Sequence, residues 1–494
     1  MKKLIYIILL ITTFTIMITA CAAEETAVNT TDETTTARIE ETTTSEYKSP
    51  EVNFGGAVIT IGAADHTKDG YNIMWVGEKY CDAYAPEQNG DPMNDALYFR
   101  NQRVEEELNV TINSYNLGTF GTAGANLQKL IMAAEDIVDI AYMNGNPMPQ
   151  YLGSGMIMDL YEIPTVDFKH SWWDQNSVKE FTLFGTLSIV TGDISLNTIF
   201  SLPVYFFNKQ LVEDFKIENM YDIVRKGDWT IQKMIEISRI VGADLNGDGI
   251  MDEEDRYGML THSYVMIDMI YGGGVRITNK NSEGVPQLAV NTQRTADIVE
   301  MSVPYLWDKQ VTVTTSDFYP KYSNPAAQLF TPMFINNQGL FYTNQFLFSM
   351  ELRNMDADFG ILPPPKLDAA QDGYYVTLSN YWGNYIMVPV TNGNLEMTGH
   401  VLDAMGYYSQ LYVTPAYIDT TVMNKAIRDD DSADMINVIL NSRCFDIATL
   451  YNWGGVYSMF PIMYNNKSTN FASEFAKIET RVQTEIDKTV EMLR

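Results

Sequence analysis

Short β-rich segments alternate with amphipathic helical segments in the first part of the body of this chain, and this alternation constrains the fold more than any other feature of the sequence. The segments, in chain order, are AVITIGAA, NDALYFRNQRVEEELN, VTINSYN, ANLQKLIMAAED and IVDIAYM. The first, third and fifth have the pattern of strands, and the second and fourth have the apolar spacing of helices. Strands that alternate with helices indicate an α/β protein with a parallel layer.

The later part of the chain adds further strands and helices. The predicted strands are LPVYFF, which turns into the helix NKQLVEDF, and then GLFYTNQF and YWGNYIMVPV. The predicted helices are GDWTIQKMIEISRIVGAD, LEMTGHVLDAMGYYSQ, SADMINVILNSR and a long charged helix from about Asn470. Because apolar residues make up 46% of the 494 residues, the body from about Glu51 onward can form two or more domains.

Two helices have candidate N-caps, and one has a clear apolar stripe. Asn94 or Asp95 is the expected cap of the first helix, and Asp228 is the expected cap of GDWTIQKMIEISRIVGAD. The stripe of the latter helix consists of Ile231, Met234, Ile237 and Val241. Apolar side chains at this spacing face a core, so the stripe predicts a helix packed on the body of the protein.

Polar residues that follow the predicted strands mark the expected ligand side. In parallel α/β sheets, ligands bind beyond the carboxyl ends of the strands. Asp65 and His66 follow the first strand, and Asn144 and Asn146 follow the third. We expect these residues, together with Asp193 as a further polar candidate, to lie near a ligand.

The N-terminus predicts export and lipidation. MKK precedes the uncharged apolar run Leu4–Ala20, which is typical of a signal peptide over residues 1–20. The run ends in ITAC and matches the lipobox of bacterial lipoproteins, so Cys21 is the expected lipidated residue and mature N-terminus. A membrane-spanning anchor with an incidental cysteine is the alternative.

Residues 21–50 are predicted to be a disordered tether. They are rich in Thr and Glu and have few large apolar side chains, so folding could not offset their chain entropy. A lipid, a tether and a folded body together indicate a protein held at the extracytoplasmic face of a bacterial cell membrane. The formal net charge of −30, or −32 without the two leader lysines, argues against nucleic acid and anionic lipid as partners.

The segment DLNGDGIMDEED has the spacing of a calcium loop. The expected ligands are Asp244, Asn246, Asp248, Ile250 through its backbone carbonyl, Asp252 and Asp255. The twelfth position is Asp255 rather than the longer Glu, and the following RYGMLTHS does not have the pattern of an amphipathic helix, so the helix pair of a calcium sensor is missing. The loop is a candidate structural calcium site, and a metal-free acidic turn is the alternative.

Besides Cys21, the chain has two cysteines, Cys81 and Cys444. In an exported protein they could form one disulfide, and two separate buried thiols are the alternative. The four histidines do not have the spacing of a zinc site, and no HExxH, P-loop or GxSxG motif is present in the sequence. Known catalytic motifs therefore give no support to an enzyme.

Motifs spread over nearly all of the chain after the tether resemble the extracellular solute-binding proteins that serve ATP-driven importers, of the large sugar-type family. The matching segments are RVEEELNVTI, VDIAY followed by GMIMDL, YFFNKQLVED, GDWT before the DxNGDG loop, GLFYTNQF, RDDDSADMINVILNSRCFD and YNWGG. The resemblance implies a two-lobed clamshell of the periplasmic-binding-protein type, in which each lobe is a β-sheet flanked by helices. It implies approximate lobes of 51–147 with 383–435 and of 148–382 with 436–494, which close around a ligand by hinge motion.

A sugar site needs flat rings for the CH faces of the ligand and amides or carboxylates for its hydroxyl edges. By the resemblance, the ligand-facing candidates are Tyr342 and Asn344 in GLFYTNQF, Trp453 in YNWGG, and Trp382 and Asn384 in YWGNY. For each ring, packing in a core or between the lobes is the alternative. The absence of clustered Arg favours a neutral solute.

The sequence is thus interpreted as a lipid-anchored, monomeric receptor that performs no chemistry and requires no cofactor, with a structural Ca²⁺ in the acidic loop as a candidate. It would deliver a mono- or oligosaccharide to the transmembrane subunits of an ABC importer. A peptide or polyol ligand would also fit a site of aromatic rings, amides and carboxylates. The alternative functions are an anchored carbohydrate-active hydrolase, which needs two carboxylates about 5–10 Å apart, and a calcium-dependent adhesion or sensor module.

Overall fold

The computed structural model describes residues 47–65, 82–352, 355–419 and 430–494. The predicted signal peptide, Cys21 and most of the predicted tether lie outside these ranges, as do His66 and Cys81. Among the described residues, no helix is both long enough and apolar enough to cross a membrane.

The described residues form fifteen strands and nineteen α-helices. The strands are β1 (Ala57–Ala63), β2 (Val110–Asn116), β3 (Ile140–Met143), β4 (Thr182–Leu183), β5 (Thr186–Leu187), β6 (Pro203–Asn208), β7 (Tyr257–Thr261), β8 (Thr278–Lys280), β9 (Pro286–Leu288), β10 (Thr312–Thr314), β11 (Gly339–Gln345), β12 (Phe359–Leu362), β13 (Val376–Thr377), β14 (Tyr385–Met387) and β15 (Arg443–Cys444). The helices are α1 (Pro92–Leu108), α2 (Ala123–Met132), α3 (Met148–Tyr151), α4 (Gln175–Phe181), α5 (Asn197–Phe200), α6 (Lys209–Asp214), α7 (Met220–Arg225), α8 (Ile231–Val241), α9 (Val265–Gly272), α10 (Gln293–Leu306), α11 (Thr331–Ile335), α12 (Ser349–Leu352), α13 (Leu395–Tyr408), α14 (Thr414–Ile418), α15 (Asp430–Asn441), α16 (Ile447–Tyr451), α17 (Val456–Asn465), α18 (Phe471–Ala476) and α19 (Glu479–Leu493).

The first sheet has the strand order β14-β3-β1-β2. Strand β1 pairs in parallel with β2 and β3, as the alternation of strands and helices predicts, whereas β14 returns antiparallel to β3. The alternate residues Ile59 and Ile61 of β1 are fully buried under the flanking helices. All four strands fall within the ranges 51–147 and 383–435.

The second sheet has the strand order β10-β7-β11-β6-β12 and is mixed. Strands β10, β7 and β11 are mutually parallel, and β6 and β12 complete the sheet through antiparallel pairing of β6 with both β11 and β12. Every residue of β6 is buried, because this strand lies inside the sheet with both of its faces covered. The protein is therefore α/β with two mixed sheets flanked by helices, and the lobe boundaries themselves stay a prediction.

The N-caps of two helices differ from those that the sequence predicts. Helix α1 is capped by Asp91, whose carboxylate accepts the N–H of Met93 and of Asn94, so the predicted caps Asn94 and Asp95 lie inside the first turn. Helix α8 is capped by Thr230 instead of Asp228, with the hydroxyl accepting from the N–H of Lys233 at 3.2 Å. Both caps are residues of the preferred types, and the position at which the chain enters the helix decides between neighbouring candidates.

The predicted apolar stripe of α8 is confirmed, whereas the predicted single C-terminal helix is wrong. All four stripe residues of α8 are buried, as the spacing predicts: Ile231, Met234, Ile237 and Val241. The C-terminal segment, predicted as one helix from Asn470, forms α18 and α19 with a break at Lys477 and Ile478. Asn470 is the N-cap of α18, and its side chain accepts from the N–H of Ser473 at 3.0 Å.

The predicted calcium loop, residues 244–255, is closed by hydrogen bonds from backbone N–H groups to carboxylates. Asp255 is fully buried and accepts from the N–H of Leu245 at 2.8 Å and from the N–H of Asp252 at 2.9 Å. Asp244 accepts from the N–H of Gly249 at 2.8 Å. Strand β7 follows the loop, where a calcium sensor would have its second helix.

A search of the described residues finds no group of three or more His, Cys, Asp or Glu side chains arranged to hold a metal ion. The loop carboxylates therefore stabilise the turn through N–H groups, and calcium binding at this loop stays a prediction. The described cysteine, Cys444, is a buried thiol on β15, and burial raises its pKa to about 11. Its predicted partner Cys81 lies outside the described residues.

Candidate ligand-binding cleft

A cleft of about 830 Å³ lies at the edges of both sheets. The residues that directly follow β7 and β10, His262 and Thr315, line it, as does Asn344 near the end of β11. From the first sheet, Gly145 and Asn146 follow β3 and line the same cleft. The cleft is thus built from the carboxyl ends of parallel strands in two sheets, where α/β proteins place their ligands.

Three distant segments meet at one end of the cleft, which we call the cleft floor and define by Gly145, Asn380, Thr449 and Leu450. The N–H of Gly145 donates to the carbonyl of Asn380 at 2.8 Å, and the Asn380 side-chain amide donates to the carbonyl of Thr449. A Cβ at Gly145 would lie 3.0 Å from Leu450 and 3.1 Å from Asn380, so only glycine allows this approach without a shift of its neighbours.

Aromatic rings cover much of the cleft wall. Tyr264 and Tyr319, which we call the cleft rim, are 53% and 59% exposed, although both are large rings on a well-packed body. The partly buried Tyr381, Tyr451 and Tyr457 also line the cleft. Such rings offer flat apolar faces with a hydroxyl at one end, which suits a ligand with both apolar and polar surface.

Three of the residues that the sequence predicts to lie near a ligand line the cleft: Asn146, Asn344 and Trp382. Trp382 is 6% exposed, and its ring meets the ring of Tyr381 edge-on at 5.2 Å and the ring of Phe120 edge-on at 5.7 Å. Asn344 is 4% exposed and presents its amide at the end of β11. Their roles as ligand contacts stay predictions that the geometry allows.

Tyr342 lies directly beneath Asn344 and does not line the cleft. It is 1% exposed, and its hydroxyl accepts from the Asn344 side-chain amide at 2.7 Å and donates to the carbonyl of Ala326 at 3.3 Å. Burial raises the pKa of Tyr342, so this hydroxyl keeps its proton at neutral pH. The residue can orient Asn344, and a direct contact with a ligand would require the cleft to rearrange.

Trp453 lies behind the cleft wall. Its ring stacks on Tyr451 with 4.7 Å between centroids and 9° between planes, and Tyr451 is the ring that lines the cleft. The indole N–H of Trp453 donates to the hydroxyl of Thr489 on α19 at 2.8 Å. The geometry supports the alternative interpretation of this tryptophan, in which it packs against the C-terminal helix.

The remaining predicted polar residues lie outside the cleft lining. Asp65 and Asn144 are buried at the ends of β1 and β3, and the Asp65 carboxylate accepts from Asn116 at 3.2 Å. Asp193 accepts from the side chain of Gln410 at 2.9 Å. The amide of Asn384 donates to a serine hydroxyl, that of Ser195, at 3.4 Å. The structure brings none of these four side chains to the wall that Asn344 and Trp382 share, and their ligand roles stay predictions.

The titratable groups on the cleft wall are few. Among the described lining residues, Asp268 is the only carboxylate, and neither Lys nor Arg contributes. Burial raises the pKa of Asp268 from 3.8 to about 8 and lowers the pKa of His262 from 6.5 to about 4. Burial therefore favours the uncharged form of both groups at neutral pH.

Some cleft residues that the sequence did not predict come from segments that follow β7 and β10. Tyr264 and Asp268 belong to THSYVMIDMIYGG, whose apolar residues are typical of a buried helix, and Tyr319 follows a short buried strand. For Tyr264 and Tyr319, the position shortly after a strand is the signal that could have identified them. Tyr451 and Tyr457 flank the predicted Trp453 and lie nearer to the ligand space than Trp453 does.

A scan of protein-family models finds no match to this sequence, and a search of curated proteins also finds none. Solved structures, in contrast, match along most of the chain. The ABC substrate-binding protein Lmo0181 from Listeria monocytogenes, in complex with cycloalternan, has a TM-score of 0.52 at 13% identity, covering 89% of this chain and 99% of that chain.

Two further solved structures give the same result. UgpB from Mycobacterium tuberculosis, in complex with glycerophosphocholine, has a TM-score of 0.56 at 13% identity, covering 80% of this chain and 95% of that chain. The GacH receptor of Streptomyces glaucescens, studied without ligand and with acarbose, has a TM-score of 0.53 at 12% identity, covering 89% of this chain and 98% of that chain. The chain is therefore similar in structure, over about 89% of its length, to sugar ABC substrate-binding proteins and family 1 extracellular solute-binding proteins, and it has their two-lobed α/β fold.

Proposed function

We propose that this protein is a receptor that binds a carbohydrate in the cleft between its two sheets and delivers it to an ABC importer. The observation that carries the proposal is the lining of the cleft at the strand ends. Rings such as Tyr264, Tyr319 and Trp382 stand beside side-chain amides such as Asn344 and Asn146. The structurally similar proteins named above include receptors solved with cycloalternan and with acarbose.

The chemistry of this lining fits a saccharide. The CH faces of a sugar ring pack on aromatic faces, and its hydroxyl groups exchange hydrogen bonds with amides and hydroxyls. A volume of about 830 Å³ is within the range of small-molecule clefts and accommodates more than one sugar ring. These features support an oligosaccharide over a single monosaccharide.

Hydrolysis of the ligand is the second function to be tested against this one. Retaining and inverting glycosidases use a pair of carboxylates, one on each side of the scissile bond. Among the described lining residues, Asp268 is the only carboxylate, so the second member of such a pair is missing from the wall of the cleft. The lining favours binding without turnover, and shorter products after incubation with oligosaccharides would contradict the proposal.

The location of the receptor follows from the sequence. Lipidation at Cys21 and the tether over residues 21–50 would hold the body at the extracytoplasmic face of the membrane, where it would meet the transmembrane subunits of its importer. Palmitate labelling of the full chain in cells tests the anchor, with Cys21→Ser as the control. Labelling that persists in C21S would overturn the lipidation site.

A thermal-shift screen tests the ligand class. A ligand that binds only the folded state raises the free energy of unfolding by mass action, by about 2.7 kcal/mol when the ligand concentration is 100 times Kd. The melting temperature rises as a result. We expect oligosaccharides to raise the melting temperature, and polyols, peptides and amino acids to have little effect. If only peptides raise it, the carbohydrate assignment is wrong and the receptor assignment stands.

The cleft rim gives a matched mutational test. Tyr264→Ala and Tyr319→Ala remove exposed rings from the cleft and should weaken binding of the oligosaccharide found in the screen by roughly tenfold each, about 1.4 kcal/mol. Tyr161→Ala removes a ring of similar exposure, 46%, that does not line the cleft, and should leave the affinity unchanged. Equal affinities in all three variants would exclude the rim from the binding site.

A further inference from the structure

Asp268 is an acidic side chain held in the wall of the cleft with little contact with water. It lies in the first turn of α9 and is 9% exposed, next to Ile267, which also lines the cleft. Carboxylates are rarely buried to this extent unless they are paired. A buried carboxylate in a ligand cleft therefore needs a partner, and the protein or the ligand must supply it.

Within the part of the chain that the structure describes, the protein does not supply this partner. No hydrogen bond or ion pair to the Asp268 carboxylate is formed by the described residues. The nearby hydroxyl of Tyr205, fully buried on β6, also has no hydrogen-bond partner among them. Buried polar groups in native proteins are nearly always satisfied, so a carboxylate in the cleft wall with no protein partner among the described residues indicates a position that a ligand group completes.

Another buried carboxylate in the same protein shows the contrast. Asp446 is 1% exposed and accepts from the hydroxyl of Tyr271 at 3.1 Å, from the N–H of Ile277 at 2.6 Å, and from both the N–H and the hydroxyl of Thr278 at 3.0 and 2.6 Å. Asp446 is a structural carboxylate that the fold satisfies. Asp268, at 9% exposure, is less buried than Asp446 and has none of these donors.

The cleft lacks a cation and has several ring faces. None of the described lining residues is Lys or Arg, and burial keeps His262 neutral by lowering its pKa to about 4. Tyr264 and Tyr457 line the cleft together with Asp268, and aromatic faces attract cations. A sugar hydroxyl and an ammonium group can both donate to a carboxylate, but only the ammonium forms a charge-assisted hydrogen bond and also gains from the neighbouring ring faces.

Resting on the proposed function, we infer that the cleft selects a saccharide that carries a protonated amine, and that this amine pairs with the carboxylate of Asp268. The remaining sugar hydroxyls are then left to the amides and hydroxyls of the wall, such as Asn344. The ligand class is that of amino sugars with a free amine, as distinct from N-acetylated or unsubstituted sugars.

The affinity of Asp268 for an ammonium group should depend on pH, because the carboxyl loses a proton when the pair forms. Burial raises the pKa of Asp268 to about 8, so before an ammonium binds the carboxyl keeps its proton at neutral pH. When the ammonium binds, this proton leaves for the solvent and an N–H···O contact replaces the O–H bond. The groups that face Asp268 are the hydroxyls of Tyr205 on β6 and Tyr457 on α17, neither of which is charged at neutral pH. Affinity for the amine should therefore increase from pH 6 to pH 8 as long as the amine stays protonated.

The test compares three ligands of equal length by calorimetry with the full mature chain: a glucosamine oligomer, its N-acetylated counterpart and the corresponding glucose oligomer. We expect the free amine to bind on the order of tenfold more tightly than either neutral oligomer. Asp268→Asn preserves the shape of the side chain and removes its charge, so it should abolish this preference while the neutral oligomers still bind. Asp268→Glu, which keeps the charge, should retain part of the preference.

The outcomes separate this inference from the proposed function. Equal affinity of the wild type for amine and neutral oligomers, or an unchanged preference in D268N, overturns the pairing at Asp268 and leaves a carbohydrate receptor. If none of the oligomers binds, the proposed carbohydrate function is wrong. Titration with spermidine then tests whether Asp268 binds an amine. Spermidine binding that D268N abolishes supports an amine site, and the absence of spermidine binding overturns it.

Discussion

The side-chain amide of Asn344 donates a hydrogen bond of 2.7 Å to the hydroxyl of Tyr342, two residues earlier on β11. Both side chains point to the same face of the strand, with Asn344 at the wall of the cleft and Tyr342 beneath it. The hydroxyl of Tyr342 in turn donates to the carbonyl of Ala326 at 3.3 Å, so its acceptor side is directed at Asn344. The tyrosine thereby fixes the direction in which the amide faces a ligand.

Tyr342→Phe should weaken ligand binding without removing any group from the cleft wall. The substitution leaves the buried amide of Asn344 without its acceptor, which should cost about 1–2 kcal/mol of stability and several-fold in affinity. Calorimetry with the oligosaccharide from the screen measures the change in affinity. Tyr305→Phe is the matched control, because Tyr305 is equally buried and donates to Ser238 at 2.7 Å, and neither residue lines the cleft. If both variants bind ligand as the wild type does, Tyr342 has no role in positioning.

Asp268→Asn should make the protein more stable at alkaline pH than the wild type. Burial raises the pKa of Asp268 from 3.8 to about 8, so the folded state holds its proton more tightly than the unfolded chain does. Wild-type stability attributable to this group is therefore lost as the pH rises from about 4 to about 8. We expect D268N to gain about 1–3 kcal/mol over the wild type at pH 8 and little at pH 4, since one pKa unit corresponds to about 1.4 kcal/mol.

Urea unfolding at the two pH values measures this difference. Glu300→Gln, which neutralises an exposed carboxylate on α10, is the control and should show no such pH-dependent gain. A gain of D268N that is the same at pH 4 and pH 8 would show that packing, rather than ionisation, accounts for it.

Asp255→Asn should destabilise the acidic loop whether or not calcium binds there. One carboxylate oxygen of Asp255 accepts from Leu245 and the other accepts from Asp252, and the amide group of Asn would face one of these N–H groups with an N–H of its own. The expected loss is about 1–3 kcal/mol, because a buried donor loses its acceptor. Asp248→Asn, at an exposed position of the same loop, should cost less.

Calcium itself should act on stability and leave ligand choice unchanged. If the loop binds the ion, chelation should lower the melting temperature modestly, and D248N and D255N should reduce this effect by removing ligands. Thermal unfolding with calcium and with chelator measures the shift. A melting temperature that is insensitive to both would show that the loop is a metal-free turn, and a change in ligand preference would contradict a structural role.

Tyr451→Ala and Trp453→Phe should separate contact with the ligand from support of the wall. Tyr451 lines the cleft, so its truncation should reduce affinity by roughly tenfold, about 1.4 kcal/mol. Trp453→Phe keeps a ring behind Tyr451 but loses the hydrogen bond to Thr489, which should cost about 1–2 kcal/mol of stability and little affinity. A larger loss of affinity in the Trp453 variant than in the Tyr451 variant would indicate that Trp453 contacts the ligand.

The apolar patterns predicted some of the strands and helices, among them β1, β3, β11 and α8, but missed others such as β7 and α9, and they did not predict the directions of the strands. β14 and β6 run antiparallel to their neighbours β3 and β11, although their sequences resemble those of buried parallel strands. An apolar strand has the same pattern in either direction, so only the path of the chain decides. The N-caps differ for a related reason, since Asp91 and Thr230 compete with nearby residues of equal capping tendency.

A cleft at the strand ends was predicted from the sequence, but only some of its lining residues were. Asn146, Asn344 and Trp382 line the cleft and were selected because they follow strands or lie in segments that resemble a known pattern, and their contact with a ligand stays a prediction. Asp268 could not be found from the sequence, because VMIDMIYG is typical of a core helix and a single acid within it carries no motif. What makes Asp268 notable is the lack of a partner, and this is a property of the folded protein alone.

The cleft floor joins segments that lead from one sheet to the other. Gly145 lies between β3 and β6, and Asn380 lies between β12 and β14, so both belong to crossings, and one backbone hydrogen bond links them. The link between Gly145 and Asn380 ties these two crossings together at the lining of the cleft, so a larger side chain at Gly145 would disturb the path of the chain between the sheets as well as the space for a ligand.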